Sequence, residues 1–459
     1  MLKGMKNKTF LFIPLLVFLG NSLLFSQEES VSVRDAALAT GLAFTVNVFF
    51  NSADRIILNE DFAAVNPHSI KRNLTHRWWW DTDDFATNQF GHPYQGSLYF
   101  NAGRANGLDF FQSLALAGFG SLTWEEFGET DLPSMNDIIT TPLCGAIFGE
   151  VFHRLYIDAD ALCPALAWII SPMDGLNNIL TGRESNCYGR VEELDLLLKG
   201  GREYSRTDFS SSASYDEMMR YAGGGGVHIQ YGKGIGHDTK EVFDTFTLDL
   251  DTSFSSNYYK ADFSIDGFFW SHGLYFEESE GTFGVNLMYE GEWASNAVFS
   301  NAGLGIKYLY EKNFLDSGVR FTFFAQADNI FMGTRSLYSL YKRRSDFSDS
   351  SNPPRFYNFG YGALAKTGFS LGNSFWGTLY GEVSADFLLP FLGSEVKGAR
   401  CKRNFMVEAK AGYEHMITRG CSLGISDNFT YKADRYRSEP DTVQVFNSFD
   451  VYAKVWFIR

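Results

Sequence analysis

From about residue 227 to the end of the chain, apolar side chains recur at every second position, the period of a β-strand rather than a helix. Phe246, Leu248 and Leu250 alternate with Thr247, Asp249 and Asp251, and Tyr259, Ala261, Phe263 and Ile265 alternate with Lys260, Asp262 and Ser264. Further stripes are Phe283, Val285, Leu287 and Tyr289, then Leu304, Ile306, Tyr308 and Tyr310, then Val319, Phe321, Phe323, Ala325 and Ala327. The last runs through Phe449, Val451, Ala453, Val455 and Phe457, opposite Asp450, Tyr452, Lys454 and Trp456. About eleven such segments occur, each near ten residues long. That length lets a tilted strand cross a bilayer, whereas the strands of a soluble sandwich are usually shorter. One face is aromatic and aliphatic while the other carries Asp, Glu, Lys, Ser and Asn, which is the apolar-out, polar-in pattern of a transmembrane barrel.

Closed bacterial barrels have even strand numbers. The expectation is therefore an all-β membrane barrel of about 12 antiparallel strands, with the uncounted strand before Val227 or near residues 338–344. Polar connections at 341–354 and 432–441 are expected on the outer side, and the tight turn at 418–421 on the periplasmic side. A soluble secreted β-protein with an aromatic core is the competing reading.

Residues 31–185 carry helical spacing instead. Val33, Ala36, Ala37, Thr40, Ala43, Phe44 and Val48 fall along one helix face, and Leu108, Phe111, Leu114, Ala115 and Phe119 along another. Ser134 with Asp137 three residues on predicts a capping-box start for a helix running to about His153. Gly145 and Gly149, four apart, leave one face bare for a close backbone approach. Trp78, Trp79 and Trp80 are read either as an interfacial anchor or as rings partly buried against a barrel rim. The organisation expected is a signal peptide at 1–26, a helical region at 27–190 docked in or against the barrel, a linker or first strand at 191–226, and the barrel at 227–459. The glycines at 223–226 read as a flexible junction, since no phosphate-loop sequence follows them.

Lys3, Lys6 and Lys8 before an apolar run from Phe10, ending near Ser26, have the form of a secretory signal peptide. No later segment reads as long enough for a spanning helix: 36–50 is interrupted by Asn47 and 161–170 by Pro164. The 459 residues carry 39 basic and 54 acidic side chains, and aromatic residues make up 17%. Removing the leader takes away three lysines and leaves a balance of -18. So acidic a chain does not bind nucleic acid through a basic surface, and bulk charge does not draw it to anionic lipid.

The stretch around Trp80, Asp81, Asp83 and Asp84, then Asn88, Gln89, Gly91, His92, Pro93, Tyr94 and Gly96, then Arg104, Trp124, Glu125, Glu126, Glu129, Ser134, Asn136, Asp137 and Glu150 resembles a bacterial family of unknown function, catalogued as domain of unknown function 3943. The resemblance covers roughly residues 75–155. It implies an exported, membrane-associated protein and brings no catalytic residue or cofactor with it. Outer-membrane strands typically end on an aromatic residue, whereas here Ile458 and Arg459 follow Phe457.

Glu150 and His153, three apart on a helix, share a face and with His92, Glu125, Glu126 and Glu129 form a candidate set for acid–base or metal chemistry. The candidate catalytic residues are His92, Glu129, Glu150 and His153, the candidate metal ligands Glu150 and His153, and the candidate binding residues Arg104 and Asp137. The same groups also read as buried polar residues pairing with Arg104 and Arg154, and His92 as a donor to a carbonyl in a turn at 91–93. Asp81, Asp83 and Asp84 do not make an EF-hand loop, because Ala86 and His92 stand where Gly and Glu are needed.

Of five cysteines, Cys401 and Cys421 are too far apart along a hairpin to be bridged, and Cys144 and Cys163 are the better pair or remain free thiols. The leading functional reading is a plugged structural or transport-type barrel of the outer membrane, in contact with outer-membrane lipid and inserted by the barrel assembly machinery. A membrane-bound hydrolase acting on lipid or cell-wall material is the first alternative, and a soluble periplasmic binding module the second. No cofactor is implied.

Overall fold

The computed structural model describes residues 31–182, 189–210, 215–256, 258–295, 297–314, 317–337, 355–394, 401–437 and 440–458. The expected signal peptide, the strand considered near 338–344 and the loop at 341–354 lie outside the described residues. The chain divides after Gly189 into two compact units.

The first unit is helical: α1 Val33–Ala53, α2 Pro67–Thr75, α3 His92–Arg104, α4 Phe110–Phe127, α5 Asp137–Asp160, α6 Pro164–Ile170 and α7 Pro172–Thr181. Its starts are written in the sequence. Ser32 caps α1, Asn66 with Ser69 boxes α2 ahead of Pro67, and Asp109 with Gln112 boxes α4. Helix α5 begins as spaced but runs past His153 to Asp160, and the capping box is only half made. Ser134 Oγ accepts from the Asp137 N–H at 3.3 Å, while the Ser134 N–H donates to Glu125 instead of Asp137.

The face of α1 differs from the one spacing predicts. Ala39, Leu42, Ala43, Val46 and Asn47 are buried, whereas Val33, Phe44 and Val48 are exposed. The cause is Asn47, whose Nδ2 donates to the Gly120 carbonyl and to Thr123 Oγ1 and whose Oδ1 accepts from Tyr99, so a polar anchor sets the rotation. The expectation that no later segment reaches spanning length is corrected too: with the turn Asp54–Leu58, the stretch Val33–Leu58 is long and apolar enough by length and composition. Gly145 does serve close approach. A Cβ added there would lie 2.6 Å from the Gly96 carbonyl carbon, so α3 and α5 cross backbone to backbone.

The second unit is a closed barrel of 12 strands, each antiparallel to its neighbours: β1 Val191–Phe209, β2 Tyr215–Tyr231, β3 Phe246–Ser255, β4 Tyr258–Tyr275, β5 Ser279–Ala294, β6 Val298–Phe314, β7 Val319–Ser336, β8 Tyr357–Asn373, β9 Gly377–Pro390, β10 Cys401–Thr418, β11 Cys421–Tyr436 and β12 Thr442–Ile458. β1 closes the circle against β12, with Lys199 opposite Tyr452. Closure leaves no unpaired edge, the condition for a sheet in hydrocarbon. The alternation reads as expected on β12: Phe449, Val451, Val455 and Phe457 are exposed while Asp450, Tyr452 and Trp456 are buried.

Strand periodicity begins at Val191 rather than near 227. Leu196 and Leu198 face out, but Leu197 turns to the lumen and blurs the stripe of β1. The glycines at 223–226 are not a junction but lie within β2, where a Cβ at Gly224 would meet the Thr252 carbonyl oxygen at 1.8 Å. The connection expected at 432–441 is shorter, because β11 continues to Tyr436.

Candidate functional site

Within the helical unit, two segments far apart in sequence are tied into one buried network. Trp79 and Ser134 form a parallel bridge, with the Trp79 N–H on the Pro133 carbonyl and the Met135 N–H on the Trp79 carbonyl. This brings Asp81 to Ser134 and Asn136. Asp81 Oδ2 accepts from Asn136 Nδ2 at 2.6 Å and from Ser134 Oγ at 3.0 Å, and its Oδ1 accepts from Asn88 Nδ2 at 2.9 Å. Asn136 also donates to Asn88 Oδ1 and Asp137 Oδ1. Glu125 accepts from the Ser134 N–H at 2.6 Å.

His92 enters this network from the first position of α3. The π-helical turn Thr87–Gly91 runs directly into that helix, so the expected turn at 91–93 is instead helix. The His92 Nε2 stands 3.7 Å from Asp137 Oδ1 and 3.9 Å from Asp83 Oδ2. Burial disfavours its protonated form, but Asp137, Asp83 and Asp81 outweigh that and push the imidazole up to about 10. Burial also raises Asp137, helped by the charge of Asp81, while Asp81 itself is held below the usual range by its hydrogen bonds against its own burial. The half-buried Glu129 is pushed up to about 8, by burial first and then, against His92, by Asp131, Asp83 and Asp81. Glu125 is raised by burial and by Glu129. The site therefore favours an imidazolium beside Asp81, with Glu129 keeping its proton into the neutral range.

Glu150 and His153 go elsewhere. Glu150 forms ion pairs with Arg104 and Arg154, each at 2.8 Å, and these two cations lower its pKa against the effect of burial. Arg104 also donates to the Leu108 carbonyl. The His153 Nδ1 lies 2.7 Å from Asp174 Oδ1, and Ser171 donates to the other oxygen of Asp174. The structure thus groups His92, Glu129 and Asp137 in one place, Arg104 with Glu150 in a second, and His153 with Asp174 in a third. Among the described residues, no three His, Cys, Asp or Glu side chains converge to hold a metal. Cys163, Cys401 and Cys421 are free thiols, so the pairing considered for Cys144 and Cys163 is not made. Asn88 and Asn136 were missed as site residues. Their one signal was their place in the stretches quoted for the family resemblance.

The barrel has its own cavity, of about 770 Å³. Its wall carries twelve carboxylates against seven Lys and Arg. Lys260 reaches Glu292 at 2.6 Å, Arg220 reaches Glu203 at 3.0 Å, Lys366 reaches Glu290 at 2.8 Å and Lys454 reaches Glu414 at 3.1 Å. Elsewhere the interior is filled. Met288, Ile330, Leu364 and Leu388 form a buried apolar cluster on the inner face, and Arg335 pairs with Asp386 at 2.6 Å. Residues 232–245 fold onto β4 and β5: Thr239 and Ser271 are joined by hydrogen bonds, and the Gly236 N–H donates to Thr282 Oγ1.

A closed antiparallel cylinder, greasy outside and charged inside, is a membrane β-barrel. In this chain a helical unit precedes it. Residues 77–161 match the family described as Domain of unknown function (DUF3943), as the resemblance read over 75–155 implied. No curated protein matches the sequence. Solved structures similar to the chain include an outer-membrane channel from Pseudomonas putida F1, at 8% identity and a TM-score of 0.31, covering 58% of this chain and 96% of that one. Another is a Pseudomonas aeruginosa FadL homologue at 7% identity and a TM-score of 0.24, covering 57% and 90%. A third is the translocator domain of the autotransporter NalP from Neisseria meningitidis, at 12% and 0.24, covering 66% and 99%.

Proposed function

We propose that this protein is a transport-type barrel of the bacterial outer membrane, taking small polar solutes and favouring cations. The observation that carries the reading is the cavity of about 770 Å³ inside the barrel, whose lining has five more acidic than basic side chains. A lumen of one net sign raises the local concentration of counter-ions and biases what enters. The ion pairs along the wall leave polar groups facing the cavity. Export through a cleaved signal peptide and insertion by the barrel assembly machinery belong to the same proposal, as does a plugging role for the helical unit.

Conductance of the full chain in planar bilayers tests it. Discrete openings with a reversal potential displaced toward the cation potential in a salt gradient are expected, with larger openings after deletion of residues 27–185. Anion selectivity, or no conductance from either form when both are heat-modifiable on detergent gels, would overturn it.

A hydrolytic reading draws on the clustering of His92, Asp137 and Glu129, since perturbed acids and bases gather at functional sites. Turnover of lipid or cell-wall fragments that is lost in His92→Gln while the fold is kept would favour this reading.

A further inference from the structure

Helices α6 and α7 form a hairpin with two unlike sides. Inward, Ala167 packs with Tyr156 and Ile157 of α5, and a Cβ added at Gly175 would meet the Trp168 ring at 2.4 Å, so the two helices close against each other around that glycine. Outward, Leu162, Leu166, Ile169, Ile179 and Leu180 are exposed, Leu162 at 81% and Ile169 at 78%, with Trp168 partly open beside them.

Charge separates this face from an ordinary wetted surface. Over residues 161–181 the only charged side chain is Asp174, and it is buried against His153 and Ser171. In the whole chain one residue in five is charged. A short segment with this many exposed apolar side chains, an indole among them and no exposed charge has the composition of a segment lying in a membrane interface, bound by apolar burial rather than by attraction to headgroups.

The covalent chain supplies the bilayer. α7 ends at Thr181 and β1 starts at Val191. The span between them extends no further than roughly 35 Å, at about 3.3–3.6 Å per residue. β1 starts at a barrel rim, since Leu194 pairs with Ile458 at the end of β12 and the tight turn at 419–420 closes beside it. Whatever the arrangement of the two units, the hairpin is tethered within that distance of the rim of a wall that sits in lipid. We propose that the α6–α7 hairpin docks as an interfacial anchor on the membrane leaflet at this rim, continuous with the lipid belt of the barrel. The inference rests on the membrane placement of the barrel.

The test uses the full chain in vesicles of phosphatidylethanolamine and phosphatidylglycerol, with benzoylphenylalanine placed singly at Ile169, Val451 or Lys71. Photolysis followed by mass spectrometry reads the adducts. Lipid adducts at Ile169 and Val451, with little at exposed Lys71, are expected. Loss of the Ile169 adduct is expected when Leu162→Asp and Ile179→Asp are added, with heat-modifiable mobility kept. Lipid adducts at Val451 alone would overturn the anchor while leaving the barrel in the membrane, whether position 169 then cross-links to protein or gives no adduct. No lipid adduct at Val451 would remove the membrane placement itself, and the anchor with it.

Discussion

Asn136 Nδ2 donates to Asp81 Oδ2 at 2.6 Å across 55 residues of sequence, with both side chains buried. The same amide nitrogen also reaches Asn88 and Asp137, so one side chain holds the segment before α3 against the start of α5. Asn136→Ala leaves the Asp81 carboxylate short of a donor in a dry place. The expected loss is about 1.5–3 kcal/mol, the range for a hydrogen bond to a charged group. Denaturant titration of the helical unit's unfolding, followed by tryptophan fluorescence in the full chain, checks it.

Gly145 and Gly96 fix how closely α3 and α5 approach. Backbone, not a movable side chain, stands 2.6 Å from the Cβ that Gly145→Ala would add. The helices must separate, at a cost of about 1–3 kcal/mol for an overpacked contact. Gly41→Ala is the control, since nothing lies within 4 Å of its added Cβ. In the same titration Gly145→Ala should shift the midpoint and Gly41→Ala should leave it near or above that of the native chain.

The two halves were legible to different degrees for a physical reason. A strand shows its facing residues at every second position, so Phe449, Val451, Val455 and Phe457 announce an outside and Asp450 and Lys454 an inside. The code failed where the inside is not polar. Leu197 on β1 and the lumen-filling Leu364 and Leu388 put apolar side chains on the inner face; the stretch holding β1 was read as a linker or first strand and the glycines of β2 as a flexible junction. Helix faces were less legible still, because the buried Asn47 contradicts the hydropathy that set the expected face of α1. For the site, Glu-x-x-His spacing joined Glu150 to His153, whereas the tertiary fold supplied each with its own counter-ion, Arg104 and Asp174. No local spacing encodes Asp81 meeting Asn136.

Alkali should loosen the helical unit. His92 is pushed up to about 10 and Glu129 to about 8, both above their values in an unfolded chain. A group that binds its proton more tightly when folded stabilises fully below its unfolded pKa, and that contribution fades as pH rises through its folded pKa. For Glu129 the loss runs from about 4.5 to 8, and for His92 from about 6.5 to 10. Melting of the helical unit should therefore fall progressively from neutral pH to pH 10. Glu129→Gln should flatten the lower part of that fall and His92→Gln the upper part. Unchanged slopes in both variants would place the pH dependence elsewhere.

Val451 and Asp450 are neighbours on β12 with opposite surroundings, one exposed on the apolar outside and the other buried toward the cavity. If the outside meets hydrocarbon, Val451→Arg places a cation in lipid near the middle of a 17-residue strand. The expected cost is about 2–4 kcal/mol at the bilayer midplane and less near an interface. Asp450→Asn removes one negative charge from the cavity and touches no lipid, so its effect belongs to conductance selectivity rather than to stability. Urea unfolding of the vesicle-embedded barrel, read by heat-modifiable mobility, should show a large shift for Val451→Arg and a small one for Asp450→Asn. Equal tolerance of both substitutions would mean that the outer stripe faces water, since an arginine there would then be solvated at little cost.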